Sequence, residues 1–388
     1  MKKQHIAFMT SCRSDFAKLR PYINFFVKRK IYVSIFVTSM HVNKVLGCTR
    51  KHLETYFPKY VHFCWDDSFP QHEPVVGMTH LLKAINDFFI RKHITFLFVH
   101  GDRMEALAAT IAATLRQIPV CHIEAGDESG NIDESFRHAI TKLANRFLVD
   151  NDIAKRRVIQ MGEDPCSVFT VGFSVLCLLP TEKEQKRLLE NLQINSPYIV
   201  VLYHPETGLT PKQQYQRCKE MVSTLGKLPF QYIVLPPNND PGYTEILRAY
   251  QSFPQKKVKF IKSLPCEDYL SLLSSSIGLV GNSSSGVKEA PLLQVPSITF
   301  GSRQNNRVNG CNFTTCYFVQ SAKELQACIQ NNFLKSVKYK QHLLTTQKFE
   351  QQLERIFTPA FFTPNLQKCF YNSLCKRRSK ARSHRSKS

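Results

Sequence analysis

Short β-branched and aromatic runs alternate with longer helix-like stretches from the first residues of the chain, and no other feature limits its fold as tightly. Ile6–Thr10, Tyr32–Thr38, Thr95–His100, Val120–Glu124, Phe147–Val149 and Val168–Val171 read as strands. Between them, Phe16–Lys28, Leu81–Arg91, Glu105–Arg116 and Glu134–Ala144 read as helices. This is the pattern of βαβ units around a parallel sheet. A polar, charged segment from Pro180 to Pro197 interrupts it. The alternation then restarts, with strands expected at Tyr198–Tyr203, Tyr232–Leu235, Val258–Ile261, Gly278–Val280 and Ser297–Phe300. Helices are expected near Gln213–Leu225, Tyr243–Tyr250, Cys266–Ser275 and Val287–Leu293. The expected fold class is therefore α/β, with two Rossmann-like doubly wound domains at 1–178 and 179–355. An extension, 356–388, ends in a basic disordered tail. Two such domains are expected to leave a cleft between the carboxyl edges of their sheets, where ligands of open α/β sheets bind. Neither half has a GxGxxG turn, so no dinucleotide, and no other cofactor, is expected.

At 388 residues the chain is long enough for two ordinary cores, and 43% apolar with 21% charged residues suits a globular protein. Its apolar runs, such as Ile94 to Val99, fall far short of the roughly 18 residues of a membrane span. The run after Met1-Lys2-Lys3 is broken by Arg13 and Asp15, so no export signal is read there. Thirteen cysteines stand singly, without CxxC spacing. They point to reduced thiols, a cytoplasmic location and no structural metal. The net charge is +22, of which Lys376 to Ser388 supplies seven, leaving +15 for the rest. A basic fold can attract nucleic acid, an anionic membrane or a phosphorylated small molecule. The tail reads as a solvated extension, with targeting or anionic-surface binding as the alternative. The chain lacks the aromatic-basic interleaving of RNA modules, so nucleic acid is not the expected partner.

The residues able to do chemistry gather at strand ends. His100-Gly101-Asp102-Arg103 follows the apolar run Ile94–Val99, and Glu124 closes the strand that holds His122. Asp133 and Arg137, four apart, would share one face of the following helix. Each has a plain structural reading, an N-cap for the aspartates or a satisfied core ring for the histidines. The concentration of acids, an arginine and two histidines at one edge exceeds what caps would give. In the second half, Gly281-Asn282-Ser283-Ser284-Ser285-Gly286 lies between a strand and a helix. Such a loop offers backbone amides and hydroxyls to a diphosphate, or simply caps the helix. Glu289 could bond ribose hydroxyls. His204, closing its strand, could reach a phosphate, and Arg13 and Arg303 could neutralise the charge as bidentate donors.

These segments, in order, resemble the hydrolysing UDP-N-acetylglucosamine 2-epimerases, including the epimerase half of the animal bifunctional 2-epimerase/N-acetylmannosamine kinase. The matching stretches are SCRSDFAKLRP (11–21), VHGDRMEALA (99–108), HIEAGDESGNIDESFRHAITKLA (122–144), LYHPET (202–207), LPPNNDPG (235–242), GNSSSGVKEAP (281–291) and FGSRQNNRVNG (300–310). The resemblance implies a GT-B-like domain pair, a UDP-linked amino sugar as ligand, and a homo-oligomer. By position it places Arg13, Arg103, His204, Asn238, Ser283, Ser284, Glu289 and Arg303 on UDP. Asp102, Glu124 and Asp133 fall on the acid/base positions, and His41, with His100, His122 and Arg137, near the sugar. The sequence departs from the family at Ala125-Gly126-Asp127, where Gly-Gly-Glu is frequent, and at Ala17. The basic loop by which the animal enzyme senses CMP-sialic acid finds no match.

The implied reaction turns UDP-N-acetylglucosamine into N-acetylmannosamine and UDP, feeding sialic-acid-type synthesis. No carbonyl acidifies the C2 proton, so loss of UDP from C1 must accompany its removal. Two carboxyl groups in different protonation states are the minimum for the elimination and the hydration that follows. The rivals are a non-hydrolysing epimerase, a GT-B glycosyltransferase and a nucleic-acid-binding protein.

Overall fold

A parallel strand covered by helices on both faces needs apolar side chains on both, and β4 (Phe96–His100) has them. Phe96 and Phe98 enter one core while Leu97 and Val99 enter the other. In the computed structural model, residues 4–42, 49–64, 74–128, 132–206, 208–238, 241–262, 264–304, 316–333 and 346–372 are described. The chain divides into two compact units. One comprises Met1–Glu128, Ile132–Cys177 and Leu344–Ser388, the other Ser129–Asn131 and Leu178–Leu343.

Unit 1 runs β1 (His5–Thr10), α1 (Arg13–Lys28), β2 (Tyr32–Val37), α2 (Arg50–Tyr56), β3 (Val61–Cys64), α3 (Pro74–Lys92) and β4. It continues with α4 (Met104–Leu115), β5 (Val120–Ile123), α5 (Ile132–Leu143), β6 (Arg146–Val149), α6 (Asp152–Gln160) and β7 (Val168–Thr170). The sheet order is β3-β2-β1-β4-β5-β6-β7, all parallel. Strand order reverses between β1 and β4, the point at which loops diverge and a ligand can enter.

Unit 2 opens with α7 (Glu182–Asn191), started by a capping box between Thr181 and Glu184. Then come β8 (Tyr198–Leu202), α8 (Pro211–Lys227), β9 (Gln231–Val234), α9 (Tyr243–Tyr250), β10 (Val258–Phe260) and α10 (Cys266–Ser274). It ends with β11 (Gly278–Gly281), α11 (Glu289–Leu292), β12 (Ser297–Phe300), β13 (Cys316–Val319) and α12 (Ala322–Asn332). The order β10-β9-β8-β11-β12-β13 repeats the topology of unit 1, with its reversal between β8 and β11.

Three features differ from the sequence reading. The edge strands β3 and β13 were not expected; both are four residues long, and β13 is mostly half-buried, too little for a clear apolar run. The helix expected over Val287–Leu293 is a single 3₁₀ turn, Ser284–Gly286, followed by the four-residue α11. The segment after unit 2 returns to unit 1. On α13 (Thr346–Ile356), Phe349 and Leu353 join Phe8 and Phe98 in one core, with Phe361 and Phe362 of α14 (Pro359–Phe362). Residues 346–355, read from sequence as the end of the second domain, therefore complete the first one's core.

Candidate active site

In unit 1 the carboxyl ends of β1, β4 and β5 carry the charged groups. Glu124 follows β5 with φ of +60°, a left-handed conformation costly for a side chain with a Cβ, of order 1–3 kcal/mol. Its backbone N–H donates to the Leu148 carbonyl at 3.0 Å, which anchors the turn to β6. The Glu124 side chain is buried, and Lys18 of α1 donates to its Oε1 at 2.6 Å. His100 Nε2 stands 3.3 Å from Glu124 Oε2.

Asp102 follows β4 through Gly101 and accepts a charged bond from the buried guanidinium of Arg137 on α5. Arg137 Nη1 also lies 3.2 Å from Asp127 Oδ2. Burial opposes the charge on Arg137. Asp102, then Asp127, then Glu124 outweigh it and hold the guanidinium above its usual value. One arginine thus pairs with two carboxylates and lies in the field of a third. The four-residue spacing of Asp133 and Arg137 predicted a shared helix face. The structure puts Asp133 in the first turn of α5, part-buried, one turn before the arginine. The far end of α5 is fixed by Lys368, whose Nζ donates to the carbonyls of Lys142 and Ala144 at 2.8 and 2.7 Å.

Two of the expected sugar-proximal histidines hold the scaffold. His122 Nε2 is 2.8 Å from the Gly101 carbonyl and Nδ1 is 3.0 Å from the Thr141 hydroxyl. A carbonyl can only accept, so Nε2 carries the hydrogen and Nδ1 accepts from Thr141. Burial pushes this imidazole down to about 3, leaving it neutral. Its service is to pin the Gly101 turn that presents Asp102. His41 is fully buried, with Nε2 2.9 Å from the Thr10 hydroxyl and Nδ1 2.7 Å from that of Thr49. Beside it Asp15, at the third position of α1, accepts from the backbone and hydroxyl of Ser11, both at 2.8 Å, and from Thr10. Burial pushes the Asp15 carboxyl up, but His41 and these donors hold it well below the carboxylate range. Arg13 is exposed in the first turn of α1. Arg103, the N-cap of α4, grips buried Glu105 through two bonds of 3.2 and 3.3 Å.

Within Ala125-Gly126-Asp127, the middle glycine is the position that the backbone fixes. Gly126 has φ of +75°, and a Cβ there would sit 2.4 Å from the Ala154 carbonyl oxygen. Glycine is required at 126, while residue 127 faces Arg137 and supplies a carboxylate.

In unit 2, the loops after β8 and β11 flank the reversal of strand order. Gly281 passes so close to β8 that a Cβ would lie 1.9 Å from the Leu202 carbonyl oxygen. The next residue, fully buried Asn282, clamps the two loops together. The His204 N–H donates to its Oδ1 at 2.6 Å, and its Nδ2 donates to the His204 carbonyl at 2.8 Å. The Asn282 carbonyl accepts from Arg303 Nη1 at 3.3 Å and Gln304 Nε2 at 2.9 Å. The Asn238 N–H donates to His204 Nδ1 at 2.9 Å. Burial, and then Arg303, hold His204 well below its usual value. The ring is therefore neutral with its hydrogen on Nε2, a donor suited to an anionic oxygen. Ser283 accepts the Ser285 N–H at 3.3 Å as the cap of the 3₁₀ turn, and Ser284 and Glu289 are part-buried in the same stretch. With only four residues in α11, backbone amides and hydroxyls, not a long helix dipole, would have to meet a phosphate.

Buried Glu206 fastens this edge from below, accepting from Tyr203 at 2.7 Å and from the hydroxyl of Ser302 at 3.1 Å. Lys18, Asp127, Asn282 and Glu206 were given no role of their own from sequence, although each lies in a matching stretch. Their signal is membership of the stretches 11–21, 122–144, 281–291 and 202–207.

The sequence matches the family model described as UDP-N-acetylglucosamine 2-epimerase over residues 27–350. The chain belongs to that family. Polysialic acid biosynthesis protein P7 of Escherichia coli is 32% identical over 80% of this chain and 82% of its own length. UDP-N-acetylglucosamine 2-epimerase of Neisseria meningitidis serogroup B is 34% identical over 79% and 82%. UDP-N,N'-diacetylbacillosamine 2-epimerase (hydrolyzing) of Legionella pneumophila is 30% identical over 79% and 83%. Among solved structures, UDP-GlcNAc 2-epimerase from Neisseria meningitidis, bound to UDP-GlcNAc, superimposes with a TM-score of 0.75 at 17% identity, covering 91% of this chain and 99% of that one. The two-domain, GT-B-like α/β fold of this epimerase family is therefore the fold of this chain. Among the described residues, no helix is long and apolar enough to cross a membrane.

Proposed function

We propose that the chain is a hydrolysing UDP-N-acetylglucosamine 2-epimerase that converts UDP-N-acetylglucosamine, or a close relative, to N-acetylmannosamine and UDP. The observation that carries this reading is the buried Arg137 with Asp102, Asp127 and Glu124 in its field, and Lys18 and His100 on Glu124. Carboxylates coupled through one guanidinium, in unlike surroundings, take up protons unequally, as an acid and a base must.

The elimination begins when a carboxylate takes the C2 proton as the C1–oxygen bond breaks. The bonding pair of that bond leaves with UDP, and a C1–C2 double bond forms. Arg13, Arg303, the neutral His204 and the Ser283–Ser284 stretch would stabilise charge growing on the diphosphate. Water then gives one proton to a carboxylate as its oxygen adds to C1, and a carboxyl group returns a proton to C2 on the opposite face. Asp102, Glu124 and Asp133 are the proposed acid/base groups. No step needs an oxidant or reductant. The hydrolysing name of the Legionella relative supports the release of free sugar, and the polysialic acid relative supports a sialic-acid-type destination for the product.

Incubation with UDP-N-acetylglucosamine in D₂O, followed by NMR and mass analysis, tests the proposal. The expected product is free N-acetylmannosamine deuterated at C2, with one UDP released per turnover. Product still linked to UDP would reassign the chain as non-hydrolysing. Retention of the C2 proton would overturn elimination itself.

A further inference from the structure

The amino-terminal edge of the unit 1 sheet, opposite the groups described above, holds a cavity of about 400 Å³. Its origin is a mismatch in strand register. On its outer flank β2 pairs with β3 only from Ile35, opposite Val61, and the Ile35 N–H donates to the Tyr60 carbonyl at 2.9 Å. Tyr32, Val33 and Ser34 extend beyond that pairing and form one wall of the resulting notch. Backbone direction alternates with a period of two along a strand, so the Val33 N–H faces the same flank as that of Ile35.

The lining is one-sided in charge. Lys30 comes from the turn after α1, Lys59 from the segment before β3, and Lys92 from the last residue of α3. Three lysines on three separate segments line the cavity, and no acidic residue is among its described lining residues. On the floor, His5 Nε2 and the Ser34 hydroxyl share a 2.8 Å hydrogen bond, which adds polar groups to the cationic rim. Tyr32, half exposed, and Tyr60 give it flat walls. The volume falls in the range of small-ligand sites. Like charges gathered around one hollow repel each other until an anion enters it.

We propose that this notch binds a phosphorylated small molecule, with Lys30, Lys59 and Lys92 as its cationic contacts, at a site separate from the nucleotide-sugar chemistry. A competing role exists, because all three lysines lie at or just past the C-terminal ends of helices, α1, α2 and α3, where cations complement the helix dipoles. The two roles predict different measurements.

The experiment is calorimetric titration of the full chain with inorganic pyrophosphate under saturating UDP, which occupies the nucleotide contacts. The expected result is one further equivalent of pyrophosphate bound. Lys59→Ala should weaken it about tenfold, and Lys30→Ala/Lys59→Ala/Lys92→Ala at least a hundredfold. Both variants should bind UDP as the native chain does. No pyrophosphate heat in the presence of UDP would overturn the proposal. So would a triple variant that melts earlier yet binds pyrophosphate unchanged, since the lysines would then serve only the helix ends. The readout does not involve turnover, so it fails or succeeds independently of the proposed reaction.

Discussion

Lys18 Nζ lies 2.6 Å from Glu124 Oε1, joining the second turn of α1 to a carboxylate held at a positive φ. The side chains are 14% and 6% exposed, so solvent does little to screen the pair. Lys18 is expected to position Glu124 and favour its ionised form. Lys18→Met should lower kcat for UDP-N-acetylglucosamine about a hundredfold, leave UDP affinity unchanged and shift the acid limb of the pH–rate profile upward. Lys18→Arg should recover part of the rate. A change confined to KM, with an unmoved pH profile, would count against a positioning role.

Asp102 offers a second test, because Arg137 keeps Asp127 as partner when Asp102 is neutralised. Asp102→Asn preserves shape and an oxygen acceptor while removing the proton acceptor. Turnover should fall by about 10²- to 10⁴-fold, with UDP binding and melting temperature near those of the native chain. Asp102→Ala should also lose stability, since the buried guanidinium then lacks one of its oxygens. Near-native turnover by Asp102→Asn, measured by UDP release, would remove it from the acid/base set.

His122 gives a pH dependence whose sign is fixed by its burial. The folded ring is depressed to about 3, while an unfolded histidine titrates near its ordinary value of 6.5. Above 6.5 both states are neutral and the full stability is present. As pH falls towards 3 only the unfolded chain gains the proton, and stability is lost. The loss by pH 5 should be about 2 kcal/mol from this residue. His122→Gln should be the less stable protein at pH 7, by about 1–3 kcal/mol, with the gap narrowing at pH 5. Urea midpoints at the two pH values decide it, and parallel losses in the two proteins would show that His122 is not the titrating group.

The scaffold was readable from sequence where residues are apolar on both faces of a strand, as in Phe96 to Val99. The same reading placed Asp102 and Glu124 after the carboxyl ends of β4 and β5, where the structure has them. It could not see that Arg137 turns towards Asp102 and Asp127, because residues 35 and 10 positions away meet only once β4, β5 and α5 are folded. It left His122 open between a satisfied core ring and a sugar-proximal one, since the partners that satisfy the ring, Gly101 and Thr141, lie on two other segments. The return of α13 to unit 1 was hidden for a related reason. Phe349 and Leu353 show an amphipathic helix but not which core receives it.

Asn282 is the residue of the nucleotide-side loop whose loss should be felt most widely. Its amide satisfies both backbone groups of His204, at 2.6 and 2.8 Å, from a fully buried position. Asn282→Ala leaves a donor and an acceptor unsatisfied and should cost about 2–4 kcal/mol. The freed His204 loop should weaken UDP binding at least tenfold. Asn282→Asp separates the two effects. It keeps the acceptor for the His204 N–H, loses the donor to the His204 carbonyl, and places a negative charge beside the Ser283–Ser284 stretch. If that stretch meets the diphosphate, Asn282→Asp should bind UDP more weakly than Asn282→Ala while melting no earlier. Binding of UDP by Asn282→Asp that matches the native protein in calorimetry would move the diphosphate away from this loop.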